Sequence, residues 1–337
     1  MGAHRTVTIL GETRAVLGAM HQLGAVHGDV DVDGWVVTST DTAEGSISLL
    51  AQHPDAQFEP PSADVVFASD LVVIALSAER GIANTWQGVW HMVEAWQRPT
   101  LVIITDLDQA RADIDEMTAI ARRVFDIDDA IQVIALPALD DDDMVGGTVD
   151  LIDLMIHDAS VDPPSIRAAD PEHIALLAER RSELAFTLAA RHEAGDMAAT
   201  VHAGLTPDAQ SMAAAVVHCT AEANFIPVLP LGAGPRYVGA EHITSLIAEI
   251  AEHTPPRLPV IDAVPPRTTI PHAATAREAR CAQVILSDDA HSVVRVWSGT
   301  LREANEPGGL VVLPDPQQVG TVIADPPGSL QISLPAT

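Results

Sequence analysis

Residues 71–77 read Leu-Val-Val-Ile-Ala-Leu-Ser, and residues 101–105 read Leu-Val-Ile-Ile-Thr. Neither run alternates apolar with polar, so both predict strands covered on two faces rather than one. Between them Ile82, Trp86, Val89, Trp90, Val93 and Trp96 recur at helical spacing and stop before Pro99. Working outward, residues 6–10 (TVTIL) predict another buried strand ending at Gly11. A helix over residues 15–26 follows it and stops at Gly28. The stretch beyond, with Pro54, Pro60 and Pro61, is poorly periodic. Downstream, a helix through Ile114, Met117, Ile120, Ala121 and Val124 leads into a strand over residues 131–136 (IQVIAL). Continuously apolar strands alternating with helices predict an α/β protein with a doubly wound, mostly parallel sheet.

The pattern changes at Ala168. From there to Glu222 the chain reads as helical, and a strand signal returns only at residues 225–231 (FIPVLPL). One further helix over residues 243–253 ends at Pro255 and Pro256. The helical block is therefore expected as an insertion before the last strand of the sheet. A proline-rich linker runs to Pro271. Beyond it, residues 282–286, 292–297 and 310–313 predict short strands of a small β-barrel. The expected units are residues 1–158, a helical insertion over 159–224, a return to the sheet over 225–258, and the barrel over 276–337.

Composition excludes several functions. Among 337 residues, 47 are Asp or Glu and 18 are Lys or Arg, a net charge of -29. All of the cations are arginine; the sequence contains no lysine. Chemistry that needs a Schiff-base lysine or a phosphate-loop lysine is excluded. The field of such a chain repels free nucleic acid. No long apolar run predicts a membrane span, and the first ten residues do not read as a secretion signal. Cys219 and Cys281 are isolated thiols, too few for a disulfide framework. A cytoplasmic location is expected.

Several segments, in order, resemble translation elongation factor G. Residues 70–81 (DLVVIALSAERG), with Trp90 beyond, resemble the segment after that family's third GTPase motif. Residues 101–115 (LVIITDLDQARADID) resemble the strand and loop of its guanine-reading motif. Residues 132–137 and 146–152 (GGTVDLI) resemble the run that opens its helical insertion. Residues 225–233 and 243–256 resemble its fifth motif and last helix. Residues 295–302 (RVWSGTLR) are similar to its barrel segment. The resemblance implies a P-loop-NTPase-like sheet with a helical insertion, then a β-barrel domain.

The same alignment of motifs implies that the nucleotide chemistry is lost. A phosphate loop needs glycine at both ends, a lysine on the phosphates and a Ser or Thr on Mg²⁺. With Gly11 as the first glycine, the second falls on Val16, the lysine on Leu17 and the hydroxyl on Gly18. Glu12 adds a negative charge, and Arg14 is the one cation on offer. Residues 55–70 contain no Asp-x-x-Gly, and the guanine motif becomes Thr105-Asp106-Leu107-Asp108. Gly11, Asp108, Gly232 and Ala233 remain as residual nucleotide-site positions. The resemblance therefore implies a pseudo-GTPase that neither binds nor hydrolyses GTP and needs no cofactor. It would act as a translation-related binding or regulatory protein, with the ribosome, a ribosomal protein or another protein as partner. The alternative is a GTP- and Mg²⁺-binding GTPase with a divergent phosphate loop. A third reading is a different α/β enzyme.

Other constellations are weaker. Asp29, Asp31, Asp33 and Gly34 match the first half of a calcium loop, but position twelve is Thr40, so an acidic loop is expected and no metal site. The run Asp140–Asp143 reads as a solvated loop. The histidines are scattered without metal-ligand spacing, Cys219 reads as core, and no catalytic residue is assigned. Trp86, Trp90 and Trp96 read as the core face of one helix.

Overall fold

A computed structural model describes residues 5–41, 46–55, 58–108, 113–139, 144–161, 164–192, 196–232, 237–255 and shorter strand segments beyond. Those segments are 260–261, 268–269, 281–288, 291–298, 310–313, 322–325 and 329–332. The chain begins β1 (Arg5–Gly11), α1 (Thr13–Gln22), β2 (His27–Val32), β3 (Trp35–Asp41) and β4 (Ser46–Gln52). It continues α2 (Ala63–Ala68), β5 (Leu71–Ser77), α3 (Thr85–Ala95), β6 (Thr100–Thr105), α4 (Ile114–Phe125) and β7 (Ile131–Val133). Next come β8 (Ala135–Leu139), β9 (Val145–Asp150), β10 (Met155–Asp158) and β11 (Ser165–Ala168). Helices α5 (Pro171–Arg191), α6 (Asp196–His202) and α7 (Ala209–Ala221) precede β12 (Ile226–Pro230) and α8 (Ala240–His253). The last strands are β13 (Val260–Ile261), β14 (Thr268–Thr269), β15 (Cys281–Ser287), β16 (Ser292–Ser298), β17 (Leu310–Leu313), β18 (Val322–Asp325) and β19 (Ser329–Ile332).

Eight strands form the main sheet, in the order β2-β3-β4-β1-β5-β6-β12-β7. From β4 to β7 every neighbouring pair is parallel, while β3 runs antiparallel to both β2 and β4. The two faces of β5 show why its sequence does not alternate. Leu71, Val73 and Ala75 enter one core with Val16, Leu17 and Met20 of α1 and Ile243, Ile247 and Ile250 of α8. Val72, Ile74 and Leu76 enter the other, with Val65 of α2, Val89 and Trp90 of α3, and Met117 and Phe125 of α4. Trp86 and Trp90 are buried, and Trp96 meets Phe67 edge-on at 4.7 Å. Cys219 is fully buried, and burial pushes its thiol up to about 11, so it is no ready nucleophile.

The acidic composition serves the helix starts. Asp113, Asp170 and Asp208 cap α4, α5 and α7; Asp113 and Asp208 each accept one backbone N–H of the first turn and Asp170 accepts two. Helix α1 ends earlier than its composition suggests, at Gln22, because Gly24 takes a left-handed φ of 65° and Ala25 N–H closes on Met20 O at 2.9 Å. The run expected as one strand over residues 131–136 splits at Ile134. Its first half, β7, stays in the main sheet, and β8 opens a second, antiparallel sheet ordered β11-β10-β9-β8. Residues 146–152, expected to open the helical block, lie largely in β9 of that sheet. Helices α5 to α7 follow β11 in the chain and precede β12, while residues 165–168 of the block expected as helical form β11.

The poorly periodic stretch holds β2, β3 and β4. Its acidic run is a hairpin: Asp33 and Gly34, with φ of 49° and 74°, turn β2 into β3. Asp29 meets His21 at 3.2 Å and Asp31 meets His53 at 3.9 Å, so these carboxylates face different partners. Among the described residues, no group of three or more His, Cys, Asp or Glu is placed to hold a metal. Nor is any helix of the described residues long and apolar enough to cross a membrane.

The C-terminal strands form an antiparallel sheet ordered β15-β16-β17, with β13-β14 and β18-β19 as separate pairs. Ile285 and Val293 join the core below α2 and α3. Arg295 fixes the junction: its guanidinium donates to Ala68 O at 2.9 Å and to both oxygens of Asp70 at 3.1 and 2.9 Å.

Candidate functional site

Of the positions expected to retain nucleotide contacts, Gly11, Asp108 and Gly232 lie at the carboxyl edge of the main sheet, where ligands of doubly wound folds bind. Gly11 ends β1 at φ 90°, and a Cβ there would overlap the Ala75 carbonyl oxygen and crowd Trp86. Only glycine meets both demands. The Glu12 N–H donates to that same carbonyl at 3.0 Å, and α1 starts one residue later. No loop intervenes to cradle a phosphate. Val16 and Leu17, 1% and 4% exposed, lie in the core face of α1. Gly18 faces the Tyr237 hydroxyl so closely that a Cβ would overlap it. The N-terminus of α1 still presents its dipole, which favours an anion. The side chains at this mouth already satisfy one another: Arg80 pairs with Glu12, and Arg14 pairs with Asp55. Phe58 stacks on Trp86 beside them, with ring centroids 4.4 Å apart.

At the other end of the edge, Asp108 and Gly232 converge on one residue, Val145. The Asp108 carboxylate accepts the Val145 N–H, and a Cβ built on Gly232 would lie 3.4 Å from a Val145 methyl and 2.9 Å from Val238 Cβ. The Gly232 N–H donates to Val238 O at 2.9 Å. Val145 and Val238 are 6% and 5% exposed, so this corner is packed with apolar side chains. Asp106, at φ 59°, turns its carboxylate back to accept from the Thr105 hydroxyl at 3.0 Å. Ala233 lies outside the described residues. The structure thus brings Asp108 and Gly232 together and leaves Gly11 beside Ala75 and Trp86.

A second cluster was not anticipated. A cavity of about 460 Å³ between β9, α7 and α8 is lined by Asp150, Asp153, His157, Glu241, His242 and Glu249, with apolar residues of both helices. Asp150 is 6% exposed; its Oδ1 accepts the Ile152 N–H at 2.5 Å and its Oδ2 lies 3.3 Å from His242 Nε2. His157 and His242 face each other with ring centroids 6.2 Å apart. Burial raises the Asp150 carboxyl to about 7 and lowers His242, so the pocket favours the uncharged form of each partner.

This contact has a pH signature. Unfolded Asp150 ionises near its ordinary value, whereas the folded carboxyl keeps its proton up to about 7. Its contribution is complete below pH 4 and is lost as pH rises to about 7. His242 contributes in the opposite sense, because its folded imidazole resists protonation. Comparison with Asp150→Asn isolates the carboxyl. The native chain is expected to gain up to about 1.4 kcal/mol per pH unit over the variant as pH falls from 7 to 4. Urea unfolding across that range measures it, and parallel curves would refute the raised carboxyl.

The pairs Arg14–Asp55 and Glu12–Arg80 join residues 41 and 68 positions apart. Asp150 and His242 come from β9 and α8, and neither spacing nor motif announced their meeting. Against known proteins, no family model matches the chain, and no curated relative does. Among solved structures, the chain is similar to a Thermus thermophilus protein, with a TM-score of 0.65 at 16% identity. That likeness covers 98% of this chain and 50% of the other, so this chain spans half of its structural neighbour. At such identity it speaks for the fold alone.

Proposed function

We propose that the chain is an elongation factor G-like pseudo-GTPase, a P-loop-NTPase-shaped protein that neither binds nor hydrolyses GTP. It acts as a translation-related binding or regulatory protein, with the ribosome or a ribosomal protein as its expected partner. One observation carries the loss of chemistry: a single residue, Glu12, separates β1 from α1. A phosphate loop needs several residues there to wrap backbone N–H groups around the phosphates. The order of parts supports the family reading. A parallel sheet is interrupted before β12 by a helical block, and antiparallel strands follow α8. The paired Arg14 and Arg80 argue against a substitute phosphate cation, and Val145 argues against space for a base.

Micromolar to nanomolar binding requires about 8 to 12 kcal/mol. Titration of labelled GTP and GDP, with and without Mg²⁺, is expected to give no saturable binding at micromolar concentrations. Tight, Mg²⁺-dependent saturation would establish instead a GTPase with a divergent loop. Co-sedimentation with ribosomes at two salt concentrations tests the partner.

A further inference from the structure

Helices α5 and α6 and the turn that follows α6 enclose a cavity of about 330 Å³, a size suited to a small organic ligand. Its walls are apolar: Leu154, Ile174, Ala185, Val201, Leu205 and Phe186 contribute most of them. Three of these leave much of their surface in water, with Ile174 42%, Phe186 57% and Leu205 64% exposed. Leaving large apolar side chains open around a concave surface is costly unless something covers them.

One charge lines this cavity. Arg181 donates from Nη2 to Ile152 O and Pro207 O, both at 3.1 Å, and its Nε is buried with no partner among the described residues. Asp150 and Asp208 act on it only from a distance, and no carboxylate of the described residues forms an ion pair with it. The contrast with its neighbour is direct, because Arg180 takes the Asp115 carboxylate through both terminal nitrogens. In a chain with 47 acids and 18 cations, carboxylates are abundant, yet none of those described touches Arg181. A guanidinium stays charged at any physiological pH and matches a carboxylate in shape and charge.

We propose that this cavity binds a monocarboxylate with an apolar tail, the tail covering Phe186 and Leu205 and the carboxylate facing Arg181. The occupant is an aliphatic acid of medium length rather than a protein helix, because a cavity of about 330 Å³ suits a small ligand and the one charged side chain lining it is a cation. A neutral tail alone would leave the guanidinium partly desolvated without an anion. An organic cation would be repelled. This site is independent of the nucleotide edge, so its failure would leave the pseudo-GTPase reading untouched.

Calorimetric titration of the full chain with sodium octanoate, sodium decanoate and 1-decanol, all below micelle formation, tests it. Saturable binding of decanoate is expected, about sixteenfold tighter than octanoate at roughly fourfold per added methylene. Decanol is expected to bind about tenfold weaker than decanoate, for want of the charge-assisted hydrogen bond. Arg181→Gln should remove that difference while leaving decanol unchanged. Ala178→Trp, on the exposed rim, should fill the cavity and abolish both, with the far-UV circular dichroism retained. This second variant decides if loss of the Arg181 hydrogen bonds unfolds the first. Equal binding of acid and alcohol, no saturable heat with millimolar decanoate, or retained decanoate binding in folded Ala178→Trp would each overturn the proposal. So would a sedimentation experiment in which Phe186→Ser dissociates a dimer, which would make the patch an interface between copies.

Discussion

Leu17→Lys is expected to destabilise the fold by about 3–5 kcal/mol and to restore no GTP binding. The substitution returns lysine to the position where the motif alignment places it, so a purely sequence-based repair would predict a gain of function. The structure predicts the opposite. Leu17 is 4% exposed and packs in the core shared by α1, β1 and α8. A lysine there must either bury its charge or shed its proton, and at pH 7 deprotonation alone costs about 5 kcal/mol from an ordinary value near 10.4. Partial escape of the ammonium along its stem reduces this figure. The lost leucine packing adds to it. Urea unfolding gives the stability, and the GTP titration run on the same variant gives the function. A stable variant that gained Mg²⁺-dependent GTP affinity would show that the start of α1 can unwind into a loop.

Arg295→Ala is expected to cost a similar amount, about 3–5 kcal/mol, for a different reason. Arg295 and Asp70 are each 3% exposed, and the Asp70 carboxylate also accepts the Thr6 N–H at 2.8 Å. Removal of the arginine strands a buried carboxylate at the head of β5 and leaves Ala68 O without its donor. Breaking a buried pair from one side carries a penalty of this order because the remaining charge is uncompensated. Replacing both residues at once, Asp70→Asn with Arg295→Met, should recover part of the loss. Denaturant unfolding of the single and double variants forms the cycle. A single variant within about 1 kcal/mol of the native chain would mean that the antiparallel sheet does not rest on β5 in solution. The pair also matters to organisation, since it ties β16 of the C-terminal sheet to the head of β5.

Much of the sheet was legible because burial on two faces leaves a strong local mark. The runs 71–77 and 101–105 have no polar residue to turn toward water before their ends, and β5 and β6 fall almost where the sequence put them. Trp86 and Trp90 were legible for the same reason, as points on one helical stripe. Strands β2 and β4 were not. Asp29 and Asp31 in β2, and Ser46, Ser48 and Gln52 in β4, dilute the apolar signal at one side of the sheet, and Pro54 suggested a loop. The split at Ile134 was also hidden, since continuous hydrophobicity does not say which of two sheets a residue joins. At the candidate site, the glycine requirement at Gly11 was readable, but its cause, the Ala75 carbonyl, was not.

What the sequence alone determined is chemical identity and local pattern. It decided that no lysine could serve a phosphate, that β1, β5, β6 and β12 would be buried, and that a helical block would precede β12. These follow from composition and short-range periodicity, which need no knowledge of neighbours. Only the tertiary structure decided that Asp55 neutralises Arg14, that Val145 packs into the corner between Asp108 and Gly232, and that Asp150 meets His242. It also decided that Arg181 faces a cavity without a carboxylate while Arg180 does not. Each of these depends on which distant segments are pressed together and how far water is excluded from them. Adjacent arginines are indistinguishable in a sequence and become different in chemistry only when one is pointed at Asp115 and the other inward.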